Sequence, residues 1–191
     1  MLSIRKTCLI ALPAIGLLFA PPDPARGQIS ISGLAGGFGF SGDDWQDVES
    51  GFGGEGVVGV RFSDRVSLGG VFHWSSHSFI GSDDAEFPGP GSDRANQISL
   101  LAQPLIHFGA ADAADLFVGA RAGYVSVGDT ENVTGITAGP VAGVGFLVGE
   151  DVMVGALASW ALLSLSKDFG GSTWGGGVFV SVGLGDGEGG G

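Results

Sequence analysis

The chain has 191 residues, with 20 acidic against 8 basic side chains, 38 glycines, three histidines and one cysteine. A formal net charge of −12 excludes DNA or RNA binding, which needs clustered Lys and Arg to displace counterions from phosphate. The length fits one domain, and so few His and Cys residues give no zinc-ligand spacing, so no metal site and no cofactor is expected.

At the amino terminus Arg5 and Lys6 precede the apolar run Leu9 to Ala20, which Pro21, Pro22 and Pro24 end. This is the pattern of a secretory signal peptide. The small residues Ala25 and Gly27 flank Arg26 and predict cleavage before Gln28, giving residues 1–27 as signal. A membrane anchor would need about 20 uninterrupted apolar residues. Cys8 precedes the apolar run and so cannot be a lipidated cysteine, which must follow one. Cleavage removes Arg5, Lys6, Arg26 and Asp23, leaving 5 basic and 19 acidic residues, a net charge of −14 and no cysteine. An exported chain without disulfides must be held by backbone pairing and its surroundings.

Turn signals then divide the chain into eight glycine-rich segments: Ile29 to Phe40, Gly51 to Phe62, Val66 to Phe79, Ala95 to Phe108, Leu116 to Val127, Thr134 to Val148, Val152 to Leu165 and Thr173 to Leu184. Each exceeds the 9–11 residues with which a tilted strand crosses hydrocarbon. Pro104 and Pro140 remove ladder donors and predict bulges or local breaks. The connections alternate in length. Those over 63–65, 109–115 and 149–151 are short; those over 41–50 and 81–94 are longer and acidic. Short turns face the periplasm in bacterial outer-membrane barrels, which starts and ends the chain there. Residues 185–191 form a Gly-rich tail expected to be flexible.

Period-two alternation sorts each segment into an apolar and a polar face. Phe52, Gly54, Gly56, Val58, Val60 and Phe62 oppose Gly53, Glu55, Val57, Gly59 and Arg61. Alternation alone does not say which face points inward, but charge does. Within the eight segments only Glu55, Arg61 and Arg121 are charged, whereas a water-facing sheet surface carries many Lys and Glu. The apolar face therefore meets lipid. The expected fold is all-β, an eight-stranded antiparallel up-and-down transmembrane β-barrel over residues 28–184. Phe52, Trp74, Tyr124, Trp160 and Trp174 fall near the outer rim as an aromatic girdle. Phe62, Phe108, Phe117 and Phe146 fall near the periplasmic rim, with Phe117 of inward parity.

The opening Ile29-Ser30-Ile31-Ser32-Gly33, phrases such as Gly59-Val60-Arg61-Phe62 and the closing Gly177-Val178-Phe179-Val180-Ser181-Val182-Gly183-Leu184 resemble the small outer-membrane β-barrels of the OmpA/OmpX type, often labelled porin-like. That resemblance implies a Gram-negative outer-membrane location, partners in the lipid bilayer and lipopolysaccharide, and insertion by the outer-membrane assembly machinery. Such barrels commonly end on an aromatic residue, and this last strand ends on Leu184.

An eight-stranded barrel is just filled by side chains, so no open solute pore is expected. Glu55, Arg61 and Arg121 have inward parity and are expected to form a charge cluster in the barrel interior, acting as a structural plug. The expected role is structural, adhesive or envelope-interacting, exercised through acidic outer loops, and not enzymatic. One alternative is a lipid A deacylase. His73 and Ser75 share a face, Glu86 follows in the next loop, and the arrangement is similar to that of the outer-membrane deacylases, without the Asn that usually follows their Ser. A second alternative is a barrel that passes small apolar molecules. Loop acids such as Asp43, Asp44, Asp47 and Glu49 are candidates for holding divalent cations near lipopolysaccharide phosphates.

Overall fold

The computed structural model describes residues 28–79, 94–110, 114–128, 132–149, 151–166 and 170–184. The predicted signal, most of the 81–94 loop and the Gly-rich tail lie outside them. Alternating sequence and turn signals produce eight strands: β1 Gln28–Ser41, β2 Gly51–Ser63, β3 Val66–Ser78, β4 Arg94–Ala110, β5 Ala114–Gly128, β6 Asn132–Leu147, β7 Val152–Leu165 and β8 Gly170–Leu184. Each pairs antiparallel with its sequence neighbour, and β8 closes on β1. Closure leaves no edge strand, so the backbone ladders run round the whole wall apart from local interruptions, as hydrocarbon requires.

The strands run slightly longer than their turn signals indicate. β5 begins at Ala114 and β4 at Arg94, so Asp115 and Arg94 join the three charges expected in strands. Pro104 and Pro140 act as anticipated. Pairing of β4 with β5 skips from Ala102↔Ala122 to Leu105↔Gly119, and pairing of β6 with β7 skips from Ala138↔Leu162 to Val141↔Ser159. Register is kept across both gaps, so these are breaks and not bulges. The irregularity in β2 and β3 lies instead between Arg61 and Ser63.

Following partners round the wall from Ile31, through Val58, Gly70, Ala102, Ala122, Ala138, Leu162 and Ser172, returns to β1 at Ser41. That stagger tilts the strands by roughly 35–45°. It also decides which inward residues share a level, because each strand is displaced along the axis relative to the last.

The outward face is apolar along the middle of every strand. Phe52, Val58, Ile136 and Val178 expose 65%, 58%, 68% and 66% of their surface, an arrangement stable only against lipid. Phe52, Trp74, Tyr124, Trp160 and Trp174 all stand outward. Trp160 lies opposite Trp174, and the stagger brings the other three to the same level near the loop end. Above this ring the outward positions turn polar, with Ser76, Asn96, Ser126, Thr134, Ser164 and Ser172 facing the headgroup layer. Phe62, Phe108 and Phe146 ring the other end, whereas Phe117 points inward and is buried, as its parity requires.

Glycine lets large inward rings fit a narrow cylinder. A β-carbon at Gly175 would come within 2.4 Å of Phe38, one at Gly143 within 2.4 Å of Phe117, and one at Gly155 within 2.6 Å of Phe179. Small and large inward residues thus sit side by side on adjacent strands, in the registers Phe38↔Gly175, Phe117↔Gly143 and Phe179↔Gly155.

Candidate functional site

The lumen carries the chain's buried chemistry, stacked in levels along the barrel axis. The outer mouth is closed by apolar side chains. The first loop folds back through a 3-10 turn, Asp43–Trp45, and seats Trp45 in the mouth, 3% exposed. Its indole stacks on Phe40 at 4.3 Å between ring centroids and 11° between planes, and Nε1–H donates to the Gly170 carbonyl at 3.0 Å. Asp44 accepts from the Gly170 amide at 2.9 Å. Val125, Val127, Val133, Leu163 and Leu165 complete the lid from the walls. Gly171 allows it, since its φ is +152° and a β-carbon there would lie 2.8 Å from the indole. A tryptophan embedded in an acidic loop was the sequence's one sign of this lid, but alternation stops at the strand end and gives a loop residue no direction.

Below the lid, Arg121 on β5 and Glu55 on β2 meet across the lumen. Nη1 and Nη2 donate to the two carboxylate oxygens at 2.7 and 2.8 Å, the bidentate fork that suits a guanidinium. Nε donates to Gln103 Oε1, and Glu55 also faces His73 Nδ1 at 3.3 Å. These partners supply what water no longer does, so neither charge is left unpaired in the interior. Of the three charges expected to cluster, two therefore meet. Arg61 lies six residues further along β2 than Glu55, roughly 20 Å at about 3.3 Å per residue, and does not join them. It sits at the periplasmic end, where Nη2 donates to the Asp64 carbonyl at 2.7 Å and Nη1 lies 3.6 Å from Asp115.

His73, Ser75 and His77 form a chain down one side, His73 Nε2 to Ser75 Oγ at 3.0 Å and Ser75 Oγ to His77 Nε2 at 2.9 Å. Glu55 occupies the acid's place beside His73. Ser75 is fully buried at 0% exposure and faces the lumen, away from acyl chains in the bilayer. Glu86 lies outside the described residues.

Beneath the Glu55–Arg121 pair the lumen is not filled. A chamber of about 430 Å³ occupies the periplasmic end, lined by apolar Leu34, Leu105, Phe117, Leu157 and Phe179 above and by Arg61, Ser67, His107 and Asp115 at its mouth. This corrects the expectation of an interior packed throughout. Gly59 and Gly69 contribute no side chain to its wall, which leaves the room. Among the described residues no cluster of His, Cys, Asp or Glu could hold a metal.

Asp115 has no sequence signal of its own, because the turn pattern starts the fifth segment at Leu116. Carrying the inward parity of Phe117 and Arg121 back one step would have found it.

Solved structures share this architecture. Neisserial surface protein A superposes with a TM-score of 0.64 at 16% identity, over 81% of this chain and 96% of that one. OprG from Pseudomonas aeruginosa gives 0.57 at 11%, over 83% and 96%. Ail, the attachment invasion locus protein of Yersinia pestis, solved with the heparin analogue sucrose octasulfate, gives 0.52 at 17%, over 83% and 99%. No family model and no curated protein matches the sequence. A lipid-facing wall, an even number of strands closed on themselves and these likenesses place the chain in the bacterial outer membrane, as an eight-stranded β-barrel with the fold of the small OmpA/OmpX-type proteins.

Proposed function

We propose that the protein is a non-conducting outer-membrane barrel that serves the envelope from its outer surface, in a structural or adhesive role exercised through its acidic loops and its contact with lipopolysaccharide. One observation carries this reading: the lumen is shut twice, by the Trp45 lid and by the Glu55–Arg121 pair, so a solute outside meets only loops and rim. The same double closure speaks against passage of small apolar molecules along the axis.

Charge narrows the partner. Ail was solved with a sulfated sugar analogue, a polyanion. Here Asp43, Asp47 and Glu49 are exposed at the mouth of a chain of net charge −12, so polyanions are repelled and cationic or cation-bridged surfaces are favoured. Planar-bilayer recording of the refolded protein tests closure, with silence expected. Binding of expressing cells to cationic and to heparin-coated surfaces tests the loops. Neutralising Asp43, Asp47 and Glu49 together should weaken attachment to the cationic surface. Steady single-channel conductance, or a preference for heparin, would overturn the proposal.

A further inference from the structure

The mouth of the periplasmic chamber holds a hydrogen-bonded line across three neighbouring strands. Ser67 Oγ on β3 lies 2.7 Å from His107 Nε2 on β4, and His107 Nδ1 lies 2.7 Å from Asp115 Oδ2 on β5. A carboxylate only accepts, so Nδ1 carries the proton and Nε2 is free to accept from the Ser67 hydroxyl. These are the contacts and the tautomer with which an acid, a histidine and a serine activate a nucleophile. His107 and Asp115 are more than nine-tenths buried, whereas Ser67 is partly buried and lines the chamber. Ser75 has two histidines and no access; Ser67 has one histidine, one acid and an open side.

Two further observations point to a ligand. Arg61 pairs directly with Ser67 in the β2–β3 register, and its Nε is buried with no acceptor among the described residues. Asp115 Oδ1 is likewise buried and unpartnered. Above Ser67 the chamber is apolar, with Leu105, Phe117 and Phe179 among its walls. At roughly 30 Å³ per heavy atom its 430 Å³, polar mouth included, accommodates about fourteen, room for a medium-length acyl ester.

From this arrangement we infer that Ser67, His107 and Asp115 form a periplasm-facing esterase site that cleaves medium-chain acyl esters, with Arg61 receiving the oxyanion. Ser67 Oγ bonds to the ester carbonyl carbon while its proton passes to His107 Nε2, and the carbonyl oxygen, now negative, accepts from the exposed side of the Arg61 guanidinium, a side chain 31% exposed at the mouth. The carbon–oxygen bond to the alcohol breaks, and His107 returns the proton to the departing alkoxide. Water then attacks the acyl-serine, loses a proton to His107, and releases the carboxylic acid as that proton restores the Ser67 hydroxyl. Ester and water become acid and alcohol, with no other reactant. Asp115 is a positioning residue, acting through His107.

The test uses the full chain refolded into phospholipid vesicles, with a fluorophosphonate probe and p-nitrophenyl octanoate. Peptide mapping of the wild-type protein is expected to find the phosphonate on Ser67. Hydrolysis should vanish in Ser67→Ala and fall ~10²- to 10⁴-fold in His107→Ala. Asp115→Asn should lower kcat with KM within about twofold, a split that a merely structural role would not produce. Ser126→Ala, an outward-facing serine at the far rim and outside the chamber, should keep both labelling and turnover. Wild-type protein with folded-barrel gel mobility and no adduct on Ser67, or turnover that survives Ser67→Ala, overturns the inference. Should Ser67→Ala fail to fold, the wild-type adduct map alone decides.

Discussion

Replacing Arg121 with Met isolates the energetics of the buried pair. In the folded barrel Arg121 supplies both hydrogen bonds to the Glu55 carboxylate and one to Gln103. Methionine fills much of the volume but donates nothing, leaving Glu55 with His73 Nδ1 at 3.3 Å as its remaining close partner. Removing one member of a buried ion pair costs about 3–5 kcal/mol, because a charge stays behind without compensation. That lowers the folding equilibrium constant by roughly 10²- to 10⁴-fold, and with a slope of about 2 kcal/mol/M it moves a urea midpoint down by roughly 2 M. The assay is refolding into vesicles across a urea series, read by the gel-mobility difference between heated and unheated protein. Adding Glu55→Gln to Arg121→Met removes the stranded charge and should return most of the loss, since neutral replacement of a buried pair is often tolerated. Unchanged stability in the single variant would refute the argument. So would a double variant as unstable as the single one, because the damage would then come from shape and not from charge.

Three other outcomes follow from the same geometry. Trp45→Ala empties the mouth and should cost about 3–5 kcal/mol in that refolding assay, yet leave planar-bilayer recordings silent, because the Glu55–Arg121 pair still blocks the axis. Gly171→Ala should destabilise by roughly 1–3 kcal/mol, since its φ of +152° and the nearby indole both oppose a side chain; a neutral result would show that Trp45 is not seated there. Val58→Arg, outward near mid-wall, should cost about 2–4 kcal/mol on vesicle refolding against roughly 0–1 for Ser126→Arg at the polar rim, and equal costs would contradict a bilayer spanning this band.

The fold was legible because its two determinants are local. Period-two alternation names the outward face, and the scarcity of strand charge says that lipid meets it. Both are properties of neighbouring residues, and eight strands ending within a few residues of their turn signals follow from them. The prolines were legible for the same reason: a missing amide at Pro104 or Pro140 interrupts its own ladder whatever the rest of the barrel does.

The lumen was harder to read because parity assigns a direction and not a height. Glu55 and Arg61 have the same parity on one strand and therefore cannot share a level. Whether Arg121 reaches Glu55 or Arg61 depends on the displacement accumulated over β3, β4 and β5. That displacement is a property of the closed cylinder: the partner walk from Ile31 comes back at Ser41, and no stretch of sequence states it. Once it is known, the apolar and polar inward residues separate into bands, and the histidines part company with one another. His73 and His77 fall at the sealed end, where hydroxyl and carboxylate groups satisfy one another, while His107 falls at the open one beside Asp115 and Ser67. A serine–histidine pair two residues apart was conspicuous in the sequence and proved inaccessible. The pair that faces open space is 40 residues apart and joined only by the wall's stagger, so chemistry in a barrel of this kind is found by level before it is found by motif.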